Sequence, residues 1–335
     1  MRYRAPLVTA LGVLLACASH APAQDATAQP ATPPAPAALP LPATRPVERP
    51  VPAIARAMII SIDGLRPDVM LRAPTPNLRQ LVDGGAFSFW ARTTDIAVTL
   101  PSHCSMLTGV PPEKHGIFWN DKPPADGPVR PSYPTLLELA KAAGYTTAIA
   151  AGKSKFDALA PGADHVYVAA TDTATVTGEA VAIIRQHRPQ VMTIHFPGVD
   201  GAGHKDGWGT PQQIEQIRIA DEGVGQVLAA LREQGVLDET FVLISTDHGG
   251  QGRSHGKDDM RSRYIPWIAS GPGIRRGIDL TIYKELNVRT EDTFATACWL
   301  LGLVPPRPVD GRPVTQILEQ DELLQPATPA AAGAR

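Results

Sequence analysis

Apolar runs of strand length recur along this chain, and between them the apolar residues fall at helical spacing. Residues 57–62, 146–151, 191–196, 241–245 and 265–270 are rich in Ile, Val, Leu, Met, Phe and Ala with few charges, as expected of strands covered on both faces. Residues 77–84, 133–143, 178–187, 214–234 and 291–301 carry the helical pattern, the last stopping at Gly302. Helix followed by buried strand, several times over, predicts an α/β fold with a mostly parallel central sheet and helices on both faces. In such sheets reactive groups gather at the carboxyl ends of the strands. Three of the runs lead to an aspartate there: 57–62 to Asp63, 191–196 to Asp200 and 241–245 to Asp247.

Composition divides the rest of the chain. Arg2 and Arg4, an uncharged stretch over residues 5–18 and then Ala21-Pro22-Ala23 have the layout of a secretory signal peptide over 1–23, too short for a stable transmembrane helix. Leu14-Leu15-Ala16-Cys17 also has the shape of a lipoprotein signal, which would make Cys17 a lipidated first residue. Either reading predicts an exported protein, periplasmic or secreted, with a lipid anchor as the alternative. Residues 24–55 are dominated by Pro and Ala and predict a disordered tether. Residues 56–320 are the size of one large catalytic domain, and 321–335 form a tail. A formal charge of −2 provides no basic face for a nucleic-acid polymer. Cys104 and Cys298 read as buried thiols rather than as a disulfide framework.

The candidate chemistry follows from what accompanies the aspartates. His204 follows Asp200 by four residues and His248 is adjacent to Asp247, and carboxylate with imidazole suits zinc. In Thr99-Leu100-Pro101-Ser102-His103 a loop feeds a helix with Pro101 in its first turn, which makes Thr99 the N-cap. The open amides and positive dipole end of a helix start favour an anionic phosphoryl oxygen. A threonine hydroxyl is a weak nucleophile and needs a base or a metal to attack. Taken alone, the segment also fits a threonine that only caps its helix.

In order along the chain stand Ser61-Ile62-Asp63-Gly64, Thr99-Leu100-Pro101-Ser102-His103, Thr108-Gly109, His115-Gly116-Ile117, Val199-Asp200-Gly201-Ala202-Gly203-His204, Thr246-Asp247-His248-Gly249-Gly250 and Ser254-His255-Gly256. The ordered set resembles the nucleotide pyrophosphatase/phosphodiesterase (type I phosphodiesterase) family of the alkaline phosphatase superfamily. The resemblance implies a hydrolase with two Zn2+ ions acting on a small-molecule phosphoester. One ion would be held by Asp63, Asp247 and His248, with Thr99 as the attacking ligand. The other would take Asp200, His204 and His255. Asn120 and the Leu100 amide would bind a nonbridging phosphoryl oxygen. His103, His115 and His195 stay outside the ligand set, as histidines that satisfy buried hydrogen bonds.

The chain departs from that family in three places. Only residues 249–254 separate His248 from His255, where nucleotide-cleaving members usually carry a long insertion, so nucleotide specificity is open. Leu100 and Ser102 stand where phenylalanine and asparagine are frequent. Lys153, in Gly152-Lys153-Ser154-Lys155-Phe156 after the run 146–151, is placed to pair with the extra charge of a phosphate monoester, Lys155 less so. The expected function is a two-zinc phosphoester hydrolase working through a covalent intermediate on Thr99. The alternatives are a phosphate monoesterase using Lys153 and, from another class, a non-catalytic metal- or phosphate-binding envelope protein. A sulfatase is disfavoured, because Thr99-Leu100-Pro101-Ser102-His103 lacks both the maturing Cys or Ser and the arginine of those enzymes.

Overall fold

The computed structural model describes residues 47–256 and 259–318. The signal peptide with Cys17, most of the tether and the tail lie outside them. Residues 47–55, expected to belong to the tether, lie on the domain instead: Val47 donates its amide to the Gly302 carbonyl at 2.8 Å, and Ile54 is fully buried. An apolar side chain in that stretch has surface to bury, which the Pro/Ala residues before it lack.

One sheet organises the molecule. Its strands are β1 (Arg56–Ile62), β2 (Ala86–Arg92), β3 (Thr147–Ala151), β4 (His165–Val168), β5 (Val191–Phe196), β6 (Thr240–Ser245), β7 (Tyr264–Ser270) and β8 (Ile278–Asp279). Their order is β4-β3-β5-β1-β6-β7-β2-β8. Every neighbouring pair is parallel except those of β7, which runs antiparallel to β6 and β2. The mostly parallel sheet is therefore as expected, but β2, β4 and β8 were not anticipated. In β2 a register shift between Ser88 and Ala91 breaks the two-residue period by which a strand is recognised. The other two are short strands at the sheet's edges, with partners on one side only.

Strand alternation divides the core into two layers. Along β1, Ala57 and Ile59 face one layer and Met58, Ile60 and Ile62 the other. Helix Pro211–Glu233 closes the second with Ile217, Val224, Val227 and Leu231; it starts at Thr210, whose hydroxyl accepts the Gln213 amide, with Pro211 at the first turn. Helix Glu291–Leu301 closes the first with Phe294, Ala297, Cys298 and Leu301 and ends at Gly302, in the left-handed conformation that favours glycine. Burying one such Leu, Val or Phe contributes about 1.5–3 kcal/mol. Cys104 and Cys298 are free and buried, and burial pushes both thiols up, so neither is reactive. Among the described residues no helix is long and apolar enough to cross a membrane.

Helix Thr99–Thr108 is buried along its whole length. Its N-cap is Val98, in extended conformation, so Thr99 is the first helical residue rather than the cap expected from the sequence. Pro101 remains in the first turn, where its missing amide costs nothing.

Candidate metal and phosphoester site

Asp63 leaves the end of β1 and donates its amide to the Phe196 carbonyl of β5 at 3.0 Å, which ties two central strands together at the site. Gly64 follows with φ +75°, and a Cβ there would lie 2.9 Å from the Asp200 Cα; only glycine lets these two segments meet. Asp200 stands in helix Gly198–Asp206, one turn before His204. From Asp200 Oδ1 to His204 Nε2 is 3.3 Å. Beyond β6, Asp247 Oδ1 accepts the amides of Gly64 (3.2 Å) and His248 (3.0 Å) and the Thr246 hydroxyl (3.1 Å), while its Oδ2 lies 3.2 Å from His248 Nε2.

The short connection to His255 is a tight hairpin. Gln251 and Ser254 exchange backbone hydrogen bonds of 2.8 and 3.0 Å, which returns His255 to stack on His248 with ring centroids 3.6 Å apart. His255 Nε2 then comes within 3.1 Å of His204 Nε2. Each of these imidazoles is oriented by a backbone carbonyl: Nδ1–H of His204 donates to Arg253 at 3.1 Å, that of His248 to Gly249 at 2.8 Å and that of His255 to Ala97 at 3.0 Å. This fixes the tautomer and leaves each Nε2 with a free lone pair, the arrangement of a metal ligand.

Four buried atoms at this centre lack a hydrogen-bond partner: Asp63 Oδ1, Asp200 Oδ1, Asp247 Oδ2 and His248 Nε2. Unsatisfied buried acceptors are costly in a fold, and a cation between them would satisfy all four. The donor atoms form two groups, Asp200 with His204 and His255, and Asp63 with Asp200 and His248, each spanning no more than 4.8 Å. All six expected ligands are thus brought together, with Asp200 common to both groups and Asp247 beside His248. Carboxylate and imidazole in such numbers fit zinc.

Lys153, just past β3, reaches into the same centre. Its ammonium lies 2.6 Å from Asp63 Oδ2, 2.7 Å from Asp200 Oδ2 and 3.3 Å from the Thr99 hydroxyl. Burial pulls its pKa down, but Asp63 and then Asp200 hold it well above the ordinary lysine value, so it stays charged. Burial likewise pushes the Asp63 carboxyl up, and Lys153 followed by His195 keeps it far below the usual carboxylate range. For His248, burial is outweighed by Asp247 and Asp63, which raise it; burial and then the neighbouring His248 lower His255.

The remaining candidates fall into place around this centre. Asn120 and Leu100 meet, but the Leu100 amide donates to Asn120 Oδ1 at 3.0 Å, so the two are paired with each other instead of offering two open donors. Lys155 forms an ion pair with Asp121 at 3.1 Å. His103 donates from Nδ1 to the Thr99 carbonyl at 2.8 Å and accepts the Ser61 hydroxyl at Nε2, 2.7 Å away; His115 Nε2 lies 3.1 Å from the Ser105 hydroxyl. Both satisfy buried hydrogen bonds, as expected. His195 does so too, but its partner is Asp63 Oδ2 at 2.8 Å, a link to the centre that sequence reasoning missed. The available signal was a histidine inside an otherwise apolar strand that leads to the site.

The type I phosphodiesterase/nucleotide pyrophosphatase family model matches residues 57–262, from β1 to the hairpin's far side. The chain belongs to that family. Ectonucleotide pyrophosphatase/phosphodiesterase family member 3 of Rattus norvegicus is 23% identical over 234 residues, covering 63% of this chain and 26% of the relative. A bis(5'-adenosyl)-triphosphatase of Mus musculus is 24% identical over 218 residues, covering 58% of this chain and 47% of its own length. The chain therefore spans between a quarter and a half of these curated relatives. Among solved structures, murine ectonucleotide pyrophosphatase/phosphodiesterase 5, inactivated by a threonine-to-alanine substitution and in complex with AMP, superposes with a TM-score of 0.65 at 15% identity, over 78% of this chain and 99% of that one. The phosphonate monoester hydrolase of Agrobacterium radiobacter reaches 0.61 at 18% identity, over 79% and 77%. These likenesses establish an alkaline-phosphatase-like α/β fold.

Proposed function

We propose that this chain is a zinc-dependent phosphoric ester hydrolase of the phosphodiesterase or nucleotide pyrophosphatase type, with Thr99 as the attacking group. One observation carries the reading: Asp63 Oδ1, Asp200 Oδ1, Asp247 Oδ2 and His248 Nε2 are buried without partners at a centre where Lys153 pairs with the other oxygens of Asp63 and Asp200 and touches the Thr99 hydroxyl. Asp63, Asp247 and His248, with Thr99, would hold one ion, and Asp200, His204 and His255 the other. Two such ions supply positive charge to both the entering and the departing oxygen of an in-line displacement and favour the alkoxide of a threonine.

The chain's own groups divide the remaining work. The Thr99 oxygen bonds to phosphorus as the bond from phosphorus to the leaving-group oxygen breaks, and the threonine proton passes to solvent. Water then cleaves the phosphothreonine ester and restores the hydroxyl. Asn120, with its Oδ1 held by the Leu100 amide, presents its Nδ2 donors to a nonbridging oxygen. Nucleotide esters are a substrate class suggested by the relatives' names, and the short hairpin before His255 leaves room for other leaving groups.

The position of Lys153 favours a second reading, phosphate monoester hydrolysis. A monoester dianion carries one more negative charge than a diester, and a charged ammonium 3.3 Å from the nucleophile is suited to it. Zinc-loaded protein assayed on an aryl phosphate monoester and the matching methyl diester tests both readings. Preference for the diester supports the phosphodiesterase, preference for the monoester that Lys153→Ala removes supports the monoesterase, and turnover of neither leaves a binding protein.

A further inference from the structure

His195 occupies an unusual place for a polar side chain. It lies in β5 with Ser61 of β1 and Ala151 of β3 as register partners, its ring against Phe156 with centroids 4.1 Å apart, and it is fully buried. Its Nε2 is 2.8 Å from Asp63 Oδ2, and because a carboxylate only accepts, Nε2 carries the proton. Nδ1 is buried without a hydrogen-bond partner. An apolar residue in this layer would leave no such bond unmade, so fold stability alone does not call for histidine here.

The same bond sorts the two oxygens of Asp63. Oδ2 is engaged by His195 and by Lys153. Oδ1 has no hydrogen-bond partner and lies 3.5 Å from His248 Nε2, among the candidate metal donors. Lys153 is not a dedicated support for this carboxylate, since its long side chain also reaches Asp200 and Thr99. His195 is short, enclosed by packing and bonded at Nε2 to Asp63 alone.

We propose that His195 is a positioning residue that holds the Asp63 carboxylate so that Oδ1 addresses the cation that Asp63 would share with Asp247 and His248. The inference rests on the metal-site reading above and adds to it a residue that touches neither metal nor substrate. Outer-sphere partners of this kind typically contribute about 10–100-fold in metal affinity.

Zinc affinity measured by competition with a chelator, on wild type, His195→Phe and His195→Gln, tests this. His195→Phe keeps the ring and loses the donor; it is expected to bind one of two zinc ions about 10–100-fold more weakly and the other unchanged. His195→Gln places an amide N–H where Nε2 was and is expected to restore most of the affinity. If Phe does not fold beside Phe156, His195→Leu carries the same comparison. Wild-type affinity at both ions in the donor-free variant overturns the role alone, and a wild type that takes up no zinc overturns the metal reading and the role with it.

Discussion

Asp63 and Asp247, with His248, stand at the ends of the adjacent strands β1 and β6, and none of these side chains has any exposed surface; His204 sits on a short helix and His255 on a hairpin, with 47% of the His204 side chain open. The inner half is placed by sheet register, in which Ser61 pairs with Ser245 and any slip would move both aspartates. The outer half is placed by local turns that can shift without disturbing the sheet. Asp200 joins them, since it appears in both donor groups. The difference teaches that one half is enclosed and set by the sheet, while the other is set by a helix turn and a hairpin and opens to solvent at His204.

Removing Asp200 should unload one position and spare the other. Asp200→Ala is expected to lose tight binding of the ion it would hold with His204 and His255, with an affinity drop beyond the roughly hundredfold cost of losing an outer-sphere partner; chelator competition checks this, and retention of that ion would contradict the assignment. Asn120→Ala is expected to lower kcat by about a hundredfold with metal content unchanged, as for an oxyanion donor. A comparable loss of zinc instead would move Asn120 out of that role.

The contrast between the halves is sharper in a paired experiment. His204→Ala should release one zinc and leave the other, with little change in the melting temperature of the metal-free protein. His248→Ala, which empties a fully buried position, should lower that temperature measurably. Equal behaviour of the two variants would break the comparison.

A smaller effect lies outside both halves. Burial lowers His115 to about 4 from an ordinary value of 6.5, against a weaker upward pull from the Pro101 backbone carbonyl. The unfolded chain binds the proton first, so this contribution is complete above pH 6.5 and is lost as pH falls toward 4, by roughly 3 kcal/mol at the limit. Denaturant unfolding across that window should show a shallower slope in His115→Gln, and an unchanged slope would contradict the assignment.

The sequence made the enclosed half easier to read than the open one. Asp63 and Asp247 follow continuous apolar runs, and β1, β5 and β6, covered on both faces, leave an unmistakable signature. The antiparallel turn of β7 and the bulged β2 depend on contacts between distant segments, which local pattern does not encode. His204 is legible from its spacing to Asp200, but His255 only through ordered motifs, because nothing in the chain between 205 and 254 states that a hairpin brings their ring nitrogens together. In sequence His195 is an ordinary buried histidine; its bond to Asp63 depends on β5 lying beside β1. The sequence puts Thr99 at a helix start as its cap, and the structure makes it the first helical residue, since the extended Val98 takes the cap.

The central claim is that Thr99 attacks phosphorus at a two-zinc centre, and turnover by zinc-loaded Thr99→Ala on a substrate the wild type hydrolyses tests it most directly. The account predicts two zinc ions per chain in both proteins and loss of nearly all turnover in the variant. Near wild-type turnover from a fully loaded Thr99→Ala would contradict it.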